Sequence, residues 1–145
     1  MDISLLFDER AIHHQLYALA SAMDNRAWDA LDTIIADEAE GDFGEGYEVS
    51  GRAGFVAMFR RFLGNCGPTQ HLLGNILVSI DGERATSRCY VRDMHQGDGI
   101  HSDKFLSTPG EYRDQWARTS HGWRLVHRTK INLMMIGSVE ALGLK

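Results

Sequence analysis

Two cysteines and two prolines in 145 residues leave this chain with little covalent or rigid punctuation. Cys66 and Cys89 follow no metal-ligand spacing. Two thiols in a chain long enough to build its own core suit a reducing compartment better than a disulfide framework. Positive charge is in deficit as well: 15 Lys and Arg stand against 20 Asp and Glu, a formal net charge of −5. Phosphate binding needs a concentrated basic surface, so no nucleic-acid partner is expected. No apolar run approaches membrane-spanning length, so no membrane association is expected. The first residues, MDISLLFDER, lack both a basic segment and a long apolar stretch, so no secretory signal is expected. A cytoplasmic location is the expectation.

What is present is ordinary globular material, 43% hydrophobic and 24% charged, enough for one domain over residues 1–145. From Asp8 to about Ala36 the apolar residues recur at helical steps, as at Ile12, Leu16, Leu19, Ala20 and Met23. Asp24-Asn25-Arg26 interrupts the pattern before Trp28, Leu31, Ile34 and Ile35 resume it. The pattern predicts two consecutive helices, with Asn25 capping the second. A short strand near 40–43 and a third helix from Ala53 to Leu63 follow, closed by Gly64 and the Gly67-Pro68 turn.

After Pro68 the period falls to two. Thr69–Ile80 places His71, Leu73, Asn75 and Leu77 on one face and Leu72, Ile76, Val78 and Ile80 on the other. Asp81-Gly82 predicts a hairpin into a strand from Ala85 to His95. Strands over 111–118 and 123–131 make a last hairpin through His121-Gly122. Helices first and an antiparallel meander after is an α+β plan. The expected architecture is a cone-shaped barrel, with N-terminal helices packed on a strongly curved antiparallel sheet.

His71 and His95 share faces with apolar or small residues, and Asp24 sits at a helix break among apolar neighbours, where a buried carboxylate needs a partner. A strand histidine alone is more often a packed core residue, and Asp24 alone an ordinary helix-end residue. Tyr112, Asp114 and Arg118 alternate with Trp116, which reads as a solvent-facing ladder in preference to a polar pocket wall. Arg124, Arg128 and Lys130 read as a solvated or subunit-facing row. His13-His14 lacks the spacing of a zinc site, and no phosphate loop, nucleophile elbow or dinucleotide fingerprint occurs. No metal and no organic cofactor is expected.

Three runs together resemble the SnoaL-like branch of the nuclear transport factor 2 superfamily. They are Met23-Asp24-Asn25-Arg26-Ala27-Trp28-Asp29-Ala30-Leu31, then Thr69-Gln70-His71-Leu72-Leu73-Gly74-Asn75, then Tyr112-Arg113-Asp114-Gln115-Trp116 with Gly122-Trp123-Arg124. Within it the chain looks most like scytalone dehydratase, hexachlorocyclohexane dehydrochlorinase and bile-acid dehydratase. The resemblance implies that Asp24 and His71 occupy the positions of their shared aspartate and histidine, and that His95, in Val91-Arg92-Asp93-Met94-His95-Gln96, matches a second histidine of scytalone dehydratase. It also shows departures. Met23 and Phe43 stand where scytalone dehydratase carries tyrosines, Arg113 where it carries a pocket asparagine, and Leu19 where the dehydrochlorinase carries a lysine, while Arg118 matches that enzyme's strand arginine. Neither substrate transfers to this chain.

The reading that follows is a dehydratase or isomerase-type lyase acting on a small hydrophobic molecule, aromatic, steroid, terpenoid or polyketide-like. His71 would take a proton from a carbon, Asp24 would fix its tautomer, and His95 or a water beside it would protonate the departing hydroxyl. Tyr17 and Met23 of the first helix, Phe43, and Phe55 and Phe59 of the third helix are expected to contact the substrate. Asn75, Val91, Tyr112, Asp114 and Trp116 are expected to do so from the strands. The alternatives are a ligand-binding module, a small structural subunit of an aromatic-ring hydroxylating dioxygenase, and a polyketide cyclase using Asp114 or Asp24. A homodimer or higher homo-oligomer is expected, because Ile76, Val78 and Ile80 would otherwise leave an apolar face uncovered.

Overall fold

Asp2 caps the first helix: its carboxylate accepts the Ser4 amide at 2.9 Å at the start of the 22-residue α1 (Ile3–Asp24). The computed structural model describes residues 2–144. Helix α1 starts five residues before the expected Asp8, because Ile3, Leu5, Leu6 and Phe7 are exposed and give its first turns no inward-facing period. It ends where predicted. Asn25, however, caps this helix rather than opening a second one: its amide and its side chain both donate to the Ser21 carbonyl, at 2.9 and 2.8 Å. Arg26 then turns the chain away with φ +55°, a left-handed conformation that costs a non-glycine residue roughly 1–2 kcal/mol.

The apolar run after Arg26 does not make the predicted second helix. Trp28–Thr33 is a single 3₁₀ stretch, and Ile35–Asp42 is a strand, β1. The β-branched Ile35 is drawn into the sheet by pairing with Leu125, a tertiary contact that overrides the helical spacing. The remaining elements are β2 (Glu48–Ser50), α2 (Gly51–Leu63), β3 (Thr69–Asp81), β4 (Arg84–Gln96), β5 (Phe105–Ser107), β6 (Gly110–Thr119), β7 (Gly122–Asn132) and β8 (Ile136–Gly137), with 3₁₀ turns at Gly99–His101 and Val139–Leu142. Strand order is β2-β1-β7-β6-β4-β5-β8, and β3 pairs with β4. The sheet is mixed, since β1 runs parallel to β7, and it is not closed into a barrel. The α+β plan of N-terminal helices on a large curved sheet holds; the fully antiparallel, closed form does not.

One irregularity decides which side chains meet. Pairing of β3 with β4 shifts register between Gly74 and Leu77, and Asn75 at that point has φ +51°. Residues with odd numbers face inward before the bulge, and residues with even numbers after it. His71 and Leu73 therefore share the inner face with Ile76, Val78 and Ile80, which pack into the main core. Asn75 and Leu77 point outward, against the predicted face. The uncovered outer face expected to drive self-association is not formed by Ile76, Val78 and Ile80, because they point inward and pack, partly buried, against the main core.

That core gathers Ile12, Leu16, Leu19 and Met23 of α1, Phe55 and Phe59 of α2, and Trp116, Trp123 and Leu125 of the sheet. Gly41 lets the aromatics close in: a Cβ there would lie 2.8 Å from the Phe43 ring and 2.9 Å from the Phe55 ring. No helix among the described residues is long and apolar enough to cross a membrane.

Candidate active site

Asp24, at the last turn of α1, meets the first residues of β3. Its Oδ1 accepts from His71 Nδ1 at 2.7 Å and from the Thr69 hydroxyl at 3.0 Å, and its Oδ2 accepts the His71 backbone amide at 2.9 Å. The His71 side chain is 6% exposed and that of Asp24 20%. Burial pushes the Asp24 carboxyl up, but the bonds from the His71 ring, the His71 amide and Thr69 outweigh it and hold the carboxyl below its usual range. A carboxylate on Nδ1 makes that nitrogen the one that carries hydrogen. The lone pair is left on Nε2.

A second imidazole stands beside the first. The His71 and His95 rings lie edge to face, 5.6 Å between centroids. His95 Nδ1 lies 3.1 Å from the Leu106 carbonyl, an oxygen that can only accept, so this ring too carries hydrogen on Nδ1. Neither Nε2 is bonded to a described residue, and neither is sealed from solvent. Burial, with the neighbouring His71, lowers the His95 pKa against the opposing pull of Asp93. His95 rests neutral, with an accepting Nε2.

Register explains the company these residues keep: β3–β4 pairing sets Thr69 opposite His95 and His71 opposite Asp93. The Asp93 carboxylate accepts the Thr108 amide at 2.7 Å and the Thr108 hydroxyl at 2.6 Å, with Lys130 Nζ at 3.4 Å. Burial lowers the Lys130 pKa, and Asp93 opposes the effect. His71, Asp93 and His95 each present one metal-ligating atom, all within 4.8 Å of one another. The Asp93 charge, however, is already met by Lys130 and Thr108. Of the three, Asp93 is thus engaged in an internal network, while the two histidines keep Nε2 unbonded by the described residues.

The other candidates divide. Met23, Phe55, Phe59, Val91, Tyr112, Asp114 and Trp116 are buried on the inner side of the sheet or on the helices against it. Phe43, Phe55 and Phe59 pack against one another at 5.9 to 6.3 Å. Tyr17 is half exposed on α1 and Asn75 lies on the outer surface, so neither is brought to the dyad. The expected solvent ladder on β6 is instead an inner wall. Asp114 binds Arg128 through two bonds of 2.8 Å, Arg128 lies 3.7 Å over the Tyr112 ring, and Trp116 Nε1 donates to the Ser87 hydroxyl at 2.8 Å. Arg128 and Lys130 are therefore interior, not a surface row. Arg113 is on the outer face, and Arg118 binds Asp8 and covers the Trp123 ring, so neither reaches the dyad. A groove on the outer face, lined by Leu77, Thr86, Arg88, Arg113 and Gln115 among others, includes none of the dyad residues. Thr69, Asp93, Thr108 and Lys130 escaped the sequence reading; only the inward alternation of Asp93 with His95 hinted at one of them.

Residues 4–129 match the SnoaL-like domain family. An uncharacterised protein of Mycobacterium tuberculosis is 29% identical over 133 residues, covering 90% of this chain and 88% of its own. Among solved structures, a proposed aromatic ring hydroxylase from Novosphingobium aromaticivorans is 29% identical with a TM-score of 0.83, over 94% of this chain and 97% of that one. A proposed scytalone dehydratase from the same organism is 17% identical with a TM-score of 0.83, over 95% and 92%. The hexachlorocyclohexane dehydrochlorinase LinA, type 2, is 15% identical with a TM-score of 0.84, over 95% and 93%; at these last two identities the likeness is one of fold. With its helices, curved sheet and matched span, the chain belongs to the SnoaL-like domain family.

Proposed function

We propose that this chain removes water from, or shifts a double bond in, a small apolar carbonyl compound, with Asp24 and His71 as the acid–base pair. The observation that carries the reading is the 2.7 Å contact between Asp24 Oδ1 and His71 Nδ1, with His71 Nε2 left unbonded by the described residues. Neutral His71 takes a proton from a carbon made acidic by the neighbouring carbonyl. Asp24 stabilises the imidazolium that forms, in surroundings where the attraction is screened less than in water. His95 cannot be the resting acid expected from the sequence, because its Nε2 carries no hydrogen and its pKa is lowered. It serves better as an acceptor that orients a substrate hydroxyl. The proton on His71 then goes to that hydroxyl on the same face, water leaves, and His71 returns to its neutral form. Return of the proton to another carbon gives the isomerisation. The named steps need only side chains.

The test is a panel of β-hydroxy ketones and related ring compounds, followed by absorbance of the conjugated product. Positioned proton transfer contributes about 10²–10⁴-fold, and His71→Ala should cost a turned-over substrate that much. A His71→Ala enzyme within a few-fold of wild type overturns the assignment. One observation favours a second reading: the 29% identical neighbour is described as an aromatic ring hydroxylase. On that reading the chain is a small structural subunit, and an oxygenase subunit would co-purify with it while His71→Ala left the complex intact.

A further inference from the structure

Arg26 makes five hydrogen bonds, and every acceptor is uncharged. Its Nε donates to the Leu63 carbonyl at 3.0 Å and its Nη2 to the Gly67 carbonyl at 2.8 Å. Its Nη1 faces the Met23 and Asp24 carbonyls at 3.0 and 3.1 Å and the Thr69 hydroxyl oxygen at 2.8 Å. One guanidinium thus ties the end of α1, the end of α2 and the turn that leads into β3. Those are the pieces that bring Asp24 to His71. Helix ends present carbonyls without partners, which explains part of the pattern. The contact with Thr69 is different in kind. Because Nη1 occupies a lone pair of the hydroxyl, the Thr69 hydrogen is left for Asp24 Oδ1, 3.0 Å away. The result is a directed chain from Arg26 through Thr69 and Asp24 to His71 Nδ1. Arg26 holds φ +55° to stand there. An arginine with no carboxylate within ion-pair distance among the described residues is placed here by its fork of donors, not by its charge.

We infer that Arg26 and Thr69 are positioning residues for the proposed Asp24–His71 pair, acting through Asp24 to hold the His71 ring in its Nδ1–H form. The inference rests on the acid–base reading above. A lysine keeps the charge but cannot span five acceptors, whereas Thr69→Val keeps the shape and removes only the hydroxyl.

The experiment is ¹⁵N NMR of the histidine ring nitrogens, with the low-field Nδ1–H proton of His71, in the free protein. In wild type we expect one tautomer and a protected Nδ1–H signal. In Arg26→Lys and in Thr69→Val that signal should broaden or vanish and a second tautomer appear, while Thr69→Ser, which keeps the hydroxyl, retains the wild-type spectrum. Arg118→Lys, which loosens the contact with Asp8 far along α1, is the structural control and should lower the melting temperature without moving the His71 signals. Wild-type ring signals in folded Thr69→Val and Arg26→Lys overturn the inference. If Asp24→Asn alone moves them, the positioning role fails and the pair stands. If Asp24→Asn moves nothing either, the pair itself fails.

Discussion

Asp24 accepts three hydrogen bonds and Asp93 is as fully engaged, so both carboxyls sit below their ordinary pKa. His95 is lowered as well, mainly by burial. Below the unperturbed histidine value, about 6.5, the unfolded chain therefore binds a proton that the native chain refuses. Stability contributed by neutral His95 is present above that value and is lost as pH falls toward the depressed native one. Urea unfolding of His95→Gln should show a flatter dependence on pH across this window than wild type; an unchanged slope contradicts a buried neutral His95. Asp114 and Arg128 pose a separate case, with side chains 1% and 2% exposed. Asp114→Asn leaves a buried guanidinium short of its charge partner and should cost about 3–5 kcal/mol of unfolding free energy. A loss below 1 kcal/mol would mean that the pair is solvated.

Elements tell where periodicity is a sufficient guide. Helix α2, the long strands β3 and β4 and the β6–β7 hairpin were legible, because β4 alternates throughout and the others keep a regular step over most of their length. The bulge at Asn75 was not, since a residue in a left-handed conformation leaves no mark in an alternating apolar pattern. It transferred Ile76, Val78 and Ile80 from the outer face to the core. The hairpin after β3 also turns one residue late, through Gly82 (φ +59°) and Glu83, because glycine at the first central position suits the strand twist. Asn75→Val should lower stability by roughly 1–2 kcal/mol, since a β-branched residue is poorly tolerated at positive φ, while Asn75→Gly should not. Equal denaturation midpoints for Asn75→Val and wild type would show that the strand relaxes to a regular register.

Across the whole molecule, the α+β plan and the Asp24–His71–His95 grouping were legible, and the polar interior was not. Arg128 and Lys130 looked like a surface row because charge suggests solvent, yet the partners Asp114 and Asp93 arrive from other strands, β6 and β4. A pairing of that kind exists only once strands are in register. The fold therefore encloses buried carboxylates that acid must protonate. Below the ordinary Asp value, about 3.9, Asp24 and Asp93 should lose their stabilising contribution as pH falls through their depressed native values. Asp93→Asn should blunt the acid transition followed by circular dichroism, and an unaltered midpoint would remove Asp93 from the account. The most direct test of the dyad is the ring ¹⁵N spectrum of His71 in wild type and in Asp24→Asn. A single Nδ1–H tautomer that gives way to a mixture when Asp24 is neutralised is the predicted result. The same spectrum in both proteins would mean that Asp24 does not hold the ring, and would contradict the assignment of the pair.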